Sequence, residues 1–262
     1  FTTIQGSGAN DATTFVGTSG VDAILIQNVA NPVRLTGLAA NDIISIQNVS
    51  GVASGYTLLG GDGNDTIAAT STNLVSSFLN GNAGIDTFNL VGASQSTVFG
   101  GQGNDTITFT SPIYNTRVNG NVGIDTITTA GAFSSSVFGG QGADAITLAG
   151  QTSSSVVQGD NGNDSIGVTG SVVSSTINGN AGQDVITIGA ITAFTDSTVY
   201  GGAGQDTINA STSTVAVVLS GDDDTDILVG SNFADTIFGG DGDDTITGNL
   251  LADTMTGGAG VN

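Results

Sequence analysis

Large apolar residues recur along this chain in two columns, each advancing by about one coil of chain rather than by a helical or simple strand period. One column holds Leu58, Leu79, Val98, Val118, Val137, Val157, Ile177, Val199 and Leu219. The other holds Ile67, Phe88, Ile107, Ile127, Ile146, Ile166, Ile186 and Ile208, and no polar residue interrupts either. Upstream, Phe15 and Ile24, then Leu35 and Ile44, keep the same relation. Each column position reads as the inward residue of a short strand, whose side chains alternate between the two faces. A single coil could not bury its own inward residues; stacked coils bury them as continuous columns. The pattern predicts an all-β fold, a right-handed parallel β-helix or β-solenoid with ~20-residue coils. Each coil is expected to carry two short strands.

The period then changes. Leu228, Ile237 and Ile246 each fill both columns at once, because the repeat has shortened to nine residues. Nine residues therefore read as half a coil, a turn plus a strand, and the long coil as that half plus an ~11-residue half ending in a Ser/Thr-rich turn such as Ser134-Ser135-Ser136 or Ser153-Ser154-Ser155. This divides the chain into a long-coil β-helix over 1–220 and a tandem nine-residue β-roll over 221–262.

Between the columns lies a turn of the form G-[G/N]-x-G-x-D. It reads GGDGNDTI at 60–67, GNAGIDTF at 81–88, GGQGNDTI at 100–107, GNVGIDTI at 120–127 and GGQGADAI at 139–146. It continues as GDNGNDSI at 159–166, GNAGQDVI at 179–186 and GGAGQDTI at 201–208. The sixth-position aspartates are Asp65, Asp86, Asp105, Asp125, Asp144, Asp164, Asp184, Asp206 and Asp226, followed at nine-residue steps by Asp235, Asp244 and Asp253. GTSGVD (17–22), GLAAND (37–42), GSNFAD (230–235) and GNLLAD (248–253) are weaker matches. Glycine opens backbone angles closed to other residues and lets carbonyl oxygens converge; Asp is short, caps tight turns and adds a hard anionic oxygen.

Composition turns that geometry into chemistry. All 23 acidic residues are Asp; Lys, His, Cys and Trp are absent, and Arg34 and Arg117 are the sole cations, leaving a net charge of −21. Stacked turns place these like charges a few ångströms apart with nothing in the chain to neutralise them. Ca²⁺ takes six to eight oxygen ligands, more than one turn supplies, so an ion between neighbouring coils resolves both needs and serves as the staple that Cys would otherwise provide. The candidate ligands are the twelve aspartates just named, the first-position glycines Gly60, Gly81, Gly100, Gly120, Gly139, Gly159, Gly179, Gly201 and Gly239, and third-position Asp62, Gln102 and Asp241. Nucleic acid is excluded as a partner by the lack of clustered Lys and Arg, and no apolar run is long enough for a membrane helix. Without His, Cys, Lys or Glu most acid–base and nucleophilic designs are closed, so no enzyme activity is expected. A Thr array for ordering water breaks at Ala145, Gly167 and Val185, and Thr is in any case a common strand residue.

These motifs resemble the RTX (hemolysin-type) calcium-binding repeat family, whose nonapeptide is G-G-x-G-x-D-x-U-x. The nearest matches are GGDGNDTIA at 60–68, GGQGNDTIT at 100–108, GGAGQDTIN at 201–209 and GGDGDDTIT at 239–247. The resemblance implies multiple Ca²⁺ ions held by the sixth-position Asp and by carbonyls of the glycine turn, secretion to the bacterial cell surface or beyond, and folding on meeting external calcium. The long spacing departs from tandem nonapeptides: one metal edge is expected along most of the chain and a second row after Asp226. The function this implies is an extracellular calcium-binding structural protein that self-assembles in a surface layer, filament or adhesin stalk. The alternative is an accessory repeat domain of a secreted enzyme or toxin. Partners are calcium, further copies of the chain and, as a candidate, cell-surface polysaccharide. Ile85 and Ile124, at the fifth motif position, read as residues of a slightly buried turn or as a lateral contact.

Overall fold

The computed structural model describes residues 3–6, 13–27, 32–47 and 53–262, with side chains from Thr14 onward. By contacts the chain divides into two units, Phe1–Ile127 and Thr128–Asn262. Each is a parallel β-solenoid, and the described residues contain no helix.

In the first unit the segments that follow the motif aspartates form one parallel sheet, with strands Ala23–Gln27, Ile43–Gln47, Thr66–Ala69, Thr87–Leu90 and Thr106–Phe109 stacked in that order. The segments that precede the aspartates form a second sheet, Thr13–Val16, Val33–Ala39, Thr57–Asp62, Phe78–Ala83, Thr97–Gln102 and Arg117–Val122. Register is set by the apolar columns: Leu58 pairs with Leu79, Leu79 with Val98, and Val98 with Val118. On the other sheet Ile44 pairs with Ile67, Ile67 with Phe88, and Phe88 with Ile107. All of these are fully buried. A slip by one residue would turn the whole column outward.

The second unit repeats the plan. Val137, Val157, Ile177, Val199, Leu219 and Ile237 pair in sequence on one sheet. Ile146, Ile166, Ile186, Ile208, Leu228 and Ile246 do so on the other. From Val218 onward the coil shortens to two strands, Val218–Asp223 with Ile227–Val229, then Thr236–Asp241 with Thr245–Thr247.

The long coils differ from the two-strand expectation. The Ser/Thr-rich stretch is a third sheet of two-residue strands: Ala53–Ser54, Leu74–Val75, Ala93–Ser94 and Ile113–Tyr114 in the first unit. In the second unit these are Ala132–Phe133, Thr152–Ser153, Val172–Val173 and Phe194–Thr195. The extra residues of the long half thus add a third side to the coil. Each strand places one residue inward, and Leu74, Ile113 and Val172 are fully buried there. The chain leaves it through a left-handed residue: Gly55, Ser76, Gln95, Asn115, Ser134, Ser154, Ser174 or Asp196, with φ of 46–71°.

The corner after that residue is a hydroxyl ladder. Ser77, Ser96, Thr116, Ser135, Ser155, Ser175 and Ser197 stand nine residues before successive motif aspartates. The Ser77 amide donates to Ser96 Oγ (3.0 Å), and the Ser155 amide to Ser175 Oγ (3.1 Å). Each hydroxyl in turn donates to the carbonyl two residues back, as Ser175 does to Val173 at 2.8 Å. Each of these ladder hydroxyls is satisfied by protein, as burial requires.

Candidate metal centre

The glycine pattern of the motif follows from its backbone. Positions two and four are left-handed in turn after turn: Gly101 and Gly103 at φ 125° and 121°, Asn180 and Gly182 at 76° and 148°, Gly240 and Gly242 at 119° and 135°. Gly tolerates such angles without cost and Asn or Asp at small cost, which is why G-[G/N]-x-G recurs. In GLAAND the same positions are Leu38 (94°) and Ala40 (74°), a conformation costing a non-glycine residue about 1–2 kcal/mol.

The aspartates form a second ladder. In the first unit the amides of Asp22, Asp42, Asp65, Asp86 and Asp105 each donate to Oδ1 of the next motif aspartate at 2.7 Å. In the second, Asp144, Asp164, Asp184, Asp206 and Asp226 do the same at 2.7–3.0 Å, and the Asp244 amide donates to Asn262 Oδ1. Asn262 therefore occupies the next place in the column. Fifth-position asparagines add a smaller ladder outside it: Asn64 accepts from the Ile85 amide and Asn104 from the Ile124 amide, both at 2.9 Å.

Hydroxyl and carboxylate ladders differ in one respect. The carboxylate has a second oxygen. Among the described residues, Oδ2 of Asp42, Asp65, Asp86, Asp105, Asp164, Asp184, Asp206, Asp226 and Asp244 is buried and accepts no hydrogen bond. Each of these points beside the first-position glycine of its own turn, next to the first-position carbonyl of the following coil. A Cβ on Gly201 would stand 2.5 Å from Asp206 Oδ2 and 2.7 Å from Gly221 O; one on Gly139 would stand 2.5 Å from both Asp144 Oδ2 and Gly159 O. Glycine is required there because a side chain would fill the space where two oxygens of adjacent coils converge. The same arrangement surrounds Gly60, Gly81, Gly100, Gly159, Gly179 and Gly239.

Burial raises these carboxyls. Asp65, Asp105 and Asp206 are pushed up to about 7, and Asp86, Asp125, Asp164 and Asp226 to about 6, chiefly by desolvation; the hydrogen bond from the preceding aspartate's amide opposes the rise. Asp42 and Asp184 shift the same way for the same reason. A buried anionic oxygen without a donor is costly, and a hard divalent cation is the ligand that oxygens of this kind suit. The residues present fit calcium. No three His, Cys, Asp or Glu side chains group together among the described residues, so a cation on this edge would have to take carbonyl oxygens beside the motif carboxylate.

The other expected ligands fall less uniformly. Third-position Asp62, Gln102 and Asp241 are exposed, with side chains outside the ladder. Asp253 is half-buried and accepts from the Asp235 amide at 2.9 Å. Asp42, in a weak match left out of the candidate ligands, has the same bare oxygen as the strong ones; its register 23 residues before Asp65 was the available signal. Ile85 and Ile124 do not lie in a buried turn: they are 54% and 57% exposed, because the fifth position faces outward.

The RTX calcium-binding nonapeptide repeat family matches four segments, 57–73, 92–109, 195–212 and 220–255, and the chain carries these repeats. The turns at 81–86, 120–125, 159–164 and 179–184 lie outside the matched segments yet have the same left-handed second and fourth positions. No curated protein matches the chain by sequence. Among solved structures, a hyperactive, Ca²⁺-dependent, β-helical antifreeze protein from an Antarctic bacterium is similar, with a TM-score of 0.70 and 20% identity over 89% of this chain and 83% of that one. That likeness is one of fold.

Proposed function

We propose, from RTX repeats with a buried, donor-free carboxylate oxygen in turn after turn, as at Asp65, Asp105 and Asp206, that this chain is an extracellular structural protein stiffened by calcium. The Asp Oδ2 atoms and the first-position carbonyls along the motif edge are the groups that would hold the ions. The chain's residues supply the ladder that holds each carboxylate at one fixed angle, and the left-handed turn that aims carbonyls toward it; calcium supplies the missing positive charge. The observation that carries the reading is the bare Oδ2 repeated down the column. Further copies of the chain are the partner we favour, docking on the motif edge of the first unit, where Ile85, Val122 and Ile124 stand exposed.

The antifreeze role of the similar structure does not carry over on these residues. The outward Thr column holds at Thr66, Thr87, Thr106 and Thr126 and returns at Thr207 and Thr245, but Ala145, Ser165, Val185 and Ile227 interrupt it, so we expect no thermal hysteresis. Electron microscopy and light scattering with calcium and with a chelator test the assembly: we expect calcium-dependent particles larger than one chain. A monodisperse monomer under saturating calcium would leave a calcium-binding domain without the structural role.

A further inference from the structure

Two of the G-x₄-D turns are built differently. In GTSGVD and GSNFAD the second position is Thr18 and Ser231, not Gly, Asn or Asp. Neither turn has a left-handed residue at its second or fourth position, although Gly20 could adopt one. Instead, the second residue turns back on the carboxylate. The Ser231 amide donates to Asp235 Oδ2 at 2.6 Å, and its hydroxyl donates to Oδ1 and Oδ2 at 2.8 and 3.1 Å. The Thr18 amide donates to Asp22 Oδ2, and its hydroxyl stands 3.0 Å from the same oxygen. In both turns the hydroxyl is then an acceptor for the fourth-position amide, Phe233 at 3.0 Å and Gly20 at 3.2 Å. The same network thus arises twice, more than 200 residues apart.

On the second edge a further donor completes the closure. The Asn249 side-chain amide donates to Gly230 O at 2.8 Å, the first-position carbonyl that in the other turns is open toward a neighbouring carboxylate. Asp235 also stands in the column that Ser155, Ser175 and Ser197 fill upstream: the Val217 amide donates to Asp235 Oδ1 at 2.8 Å as the Ser155 amide donates to Ser175 Oγ.

We infer that a Ser or Thr at the second position closes the turn against calcium, its amide and hydroxyl taking the place of the ion. Asp235 and Asp22 are then metal-free members of the repeat, even though Asp235 lies within a segment matched by the nonapeptide family. The metal row begins at Asp42, and the second edge carries no calcium at Asp235. This rests on the calcium reading above and selects, residue by residue, which aspartates take part in it. The physical basis is acceptor saturation: a carboxylate that already receives two or three donors in a buried turn has both its charge stabilised and its approach blocked.

Counting bound ions by native mass spectrometry in excess Ca²⁺ tests it on the whole chain. Asp235→Asn and Asp22→Asn should each bind as many ions as the parent, and Asp105→Asn at least one fewer. Should Asp235→Asn not fold, Asp235→Ser places the hydroxyl that fills this column upstream and should also keep the parent count. Melting with calcium and with a chelator gives the second readout: Asp235→Asn should lower both melting temperatures alike, and Asp105→Asn only the calcium-loaded one. An ion lost from Asp235→Asn, Asp235→Ser or Asp22→Asn overturns the inference while leaving the calcium reading intact. If the parent itself binds no ion, the calcium reading fails and the inference falls with it.

Discussion

At Asp105 one carboxylate oxygen accepts an amide from the coil before and the other accepts nothing, although both are shut away from water. Neutralising such a group has opposite effects on the two states of the protein. Asp105→Asn keeps an oxygen for the Asp86 amide and deletes the buried charge. At pH 8 it should stabilise the calcium-free fold by about 1–3 kcal/mol, the cost of an unsatisfied buried polar group. It should destabilise the calcium-loaded fold, and chemical denaturation with and without chelator reads both. Gly201→Ala tests the neighbouring space. Its Cβ would press on Asp206 Oδ2 and on the Gly221 carbonyl, which are held by ladders on either side. A loss of about 1–3 kcal/mol is expected from overpacking, together with weaker calcium uptake; an alanine that binds calcium as the parent does would show that this space is not the ligand cradle.

At the scale of strands and turns the two edges are held by different acceptors in the same geometry. The hydroxyl edge needs no metal. Ser155→Ala strips the acceptor from the Ser135 amide, donated at 3.0 Å, and should cost about 1–3 kcal/mol equally with and without calcium; a loss seen only in the chelated protein would be inconsistent with a metal-independent edge. These elements also mark how far the sequence could be read. The apolar columns and the glycine turns were legible because each repeats an invariant physical demand, a large inward residue at a fixed place in every long strand and two left-handed angles per turn. The third sheet was not, since its two-residue strands show a single inward position, too short for alternation to declare itself. Ser77 and its successors were visible as Ser/Thr-rich turns, but their role lies in amides of the adjacent coil, about 20 residues away. At GSNFAD the difference between an open and a closed carboxylate turns on one hydroxyl, Ser231, which reads from sequence as an ordinary small turn residue.

For the whole molecule the raised carboxyls predict an unusual pH response. Asp65, Asp105 and Asp206 titrate near 7 when folded and near 4 when unfolded. Between those values the folded state binds more protons than the unfolded one, so calcium-free stability is highest below about pH 4 and falls as pH rises through 7. Calcium competes with those protons. Its stabilising effect should therefore be small at pH 5 and large at pH 8, as melting temperatures across that range would record. The most direct test of the central claim, that the bare oxygens are calcium ligands, is calorimetric titration of the metal-stripped chain with Ca²⁺ at pH 7.5. The structure predicts uptake of several ions per chain with release of protons from the raised carboxyls, so that the measured heat changes with the buffer's ionisation enthalpy. No calcium uptake, or uptake that leaves these aspartates' protonation unchanged, would contradict it.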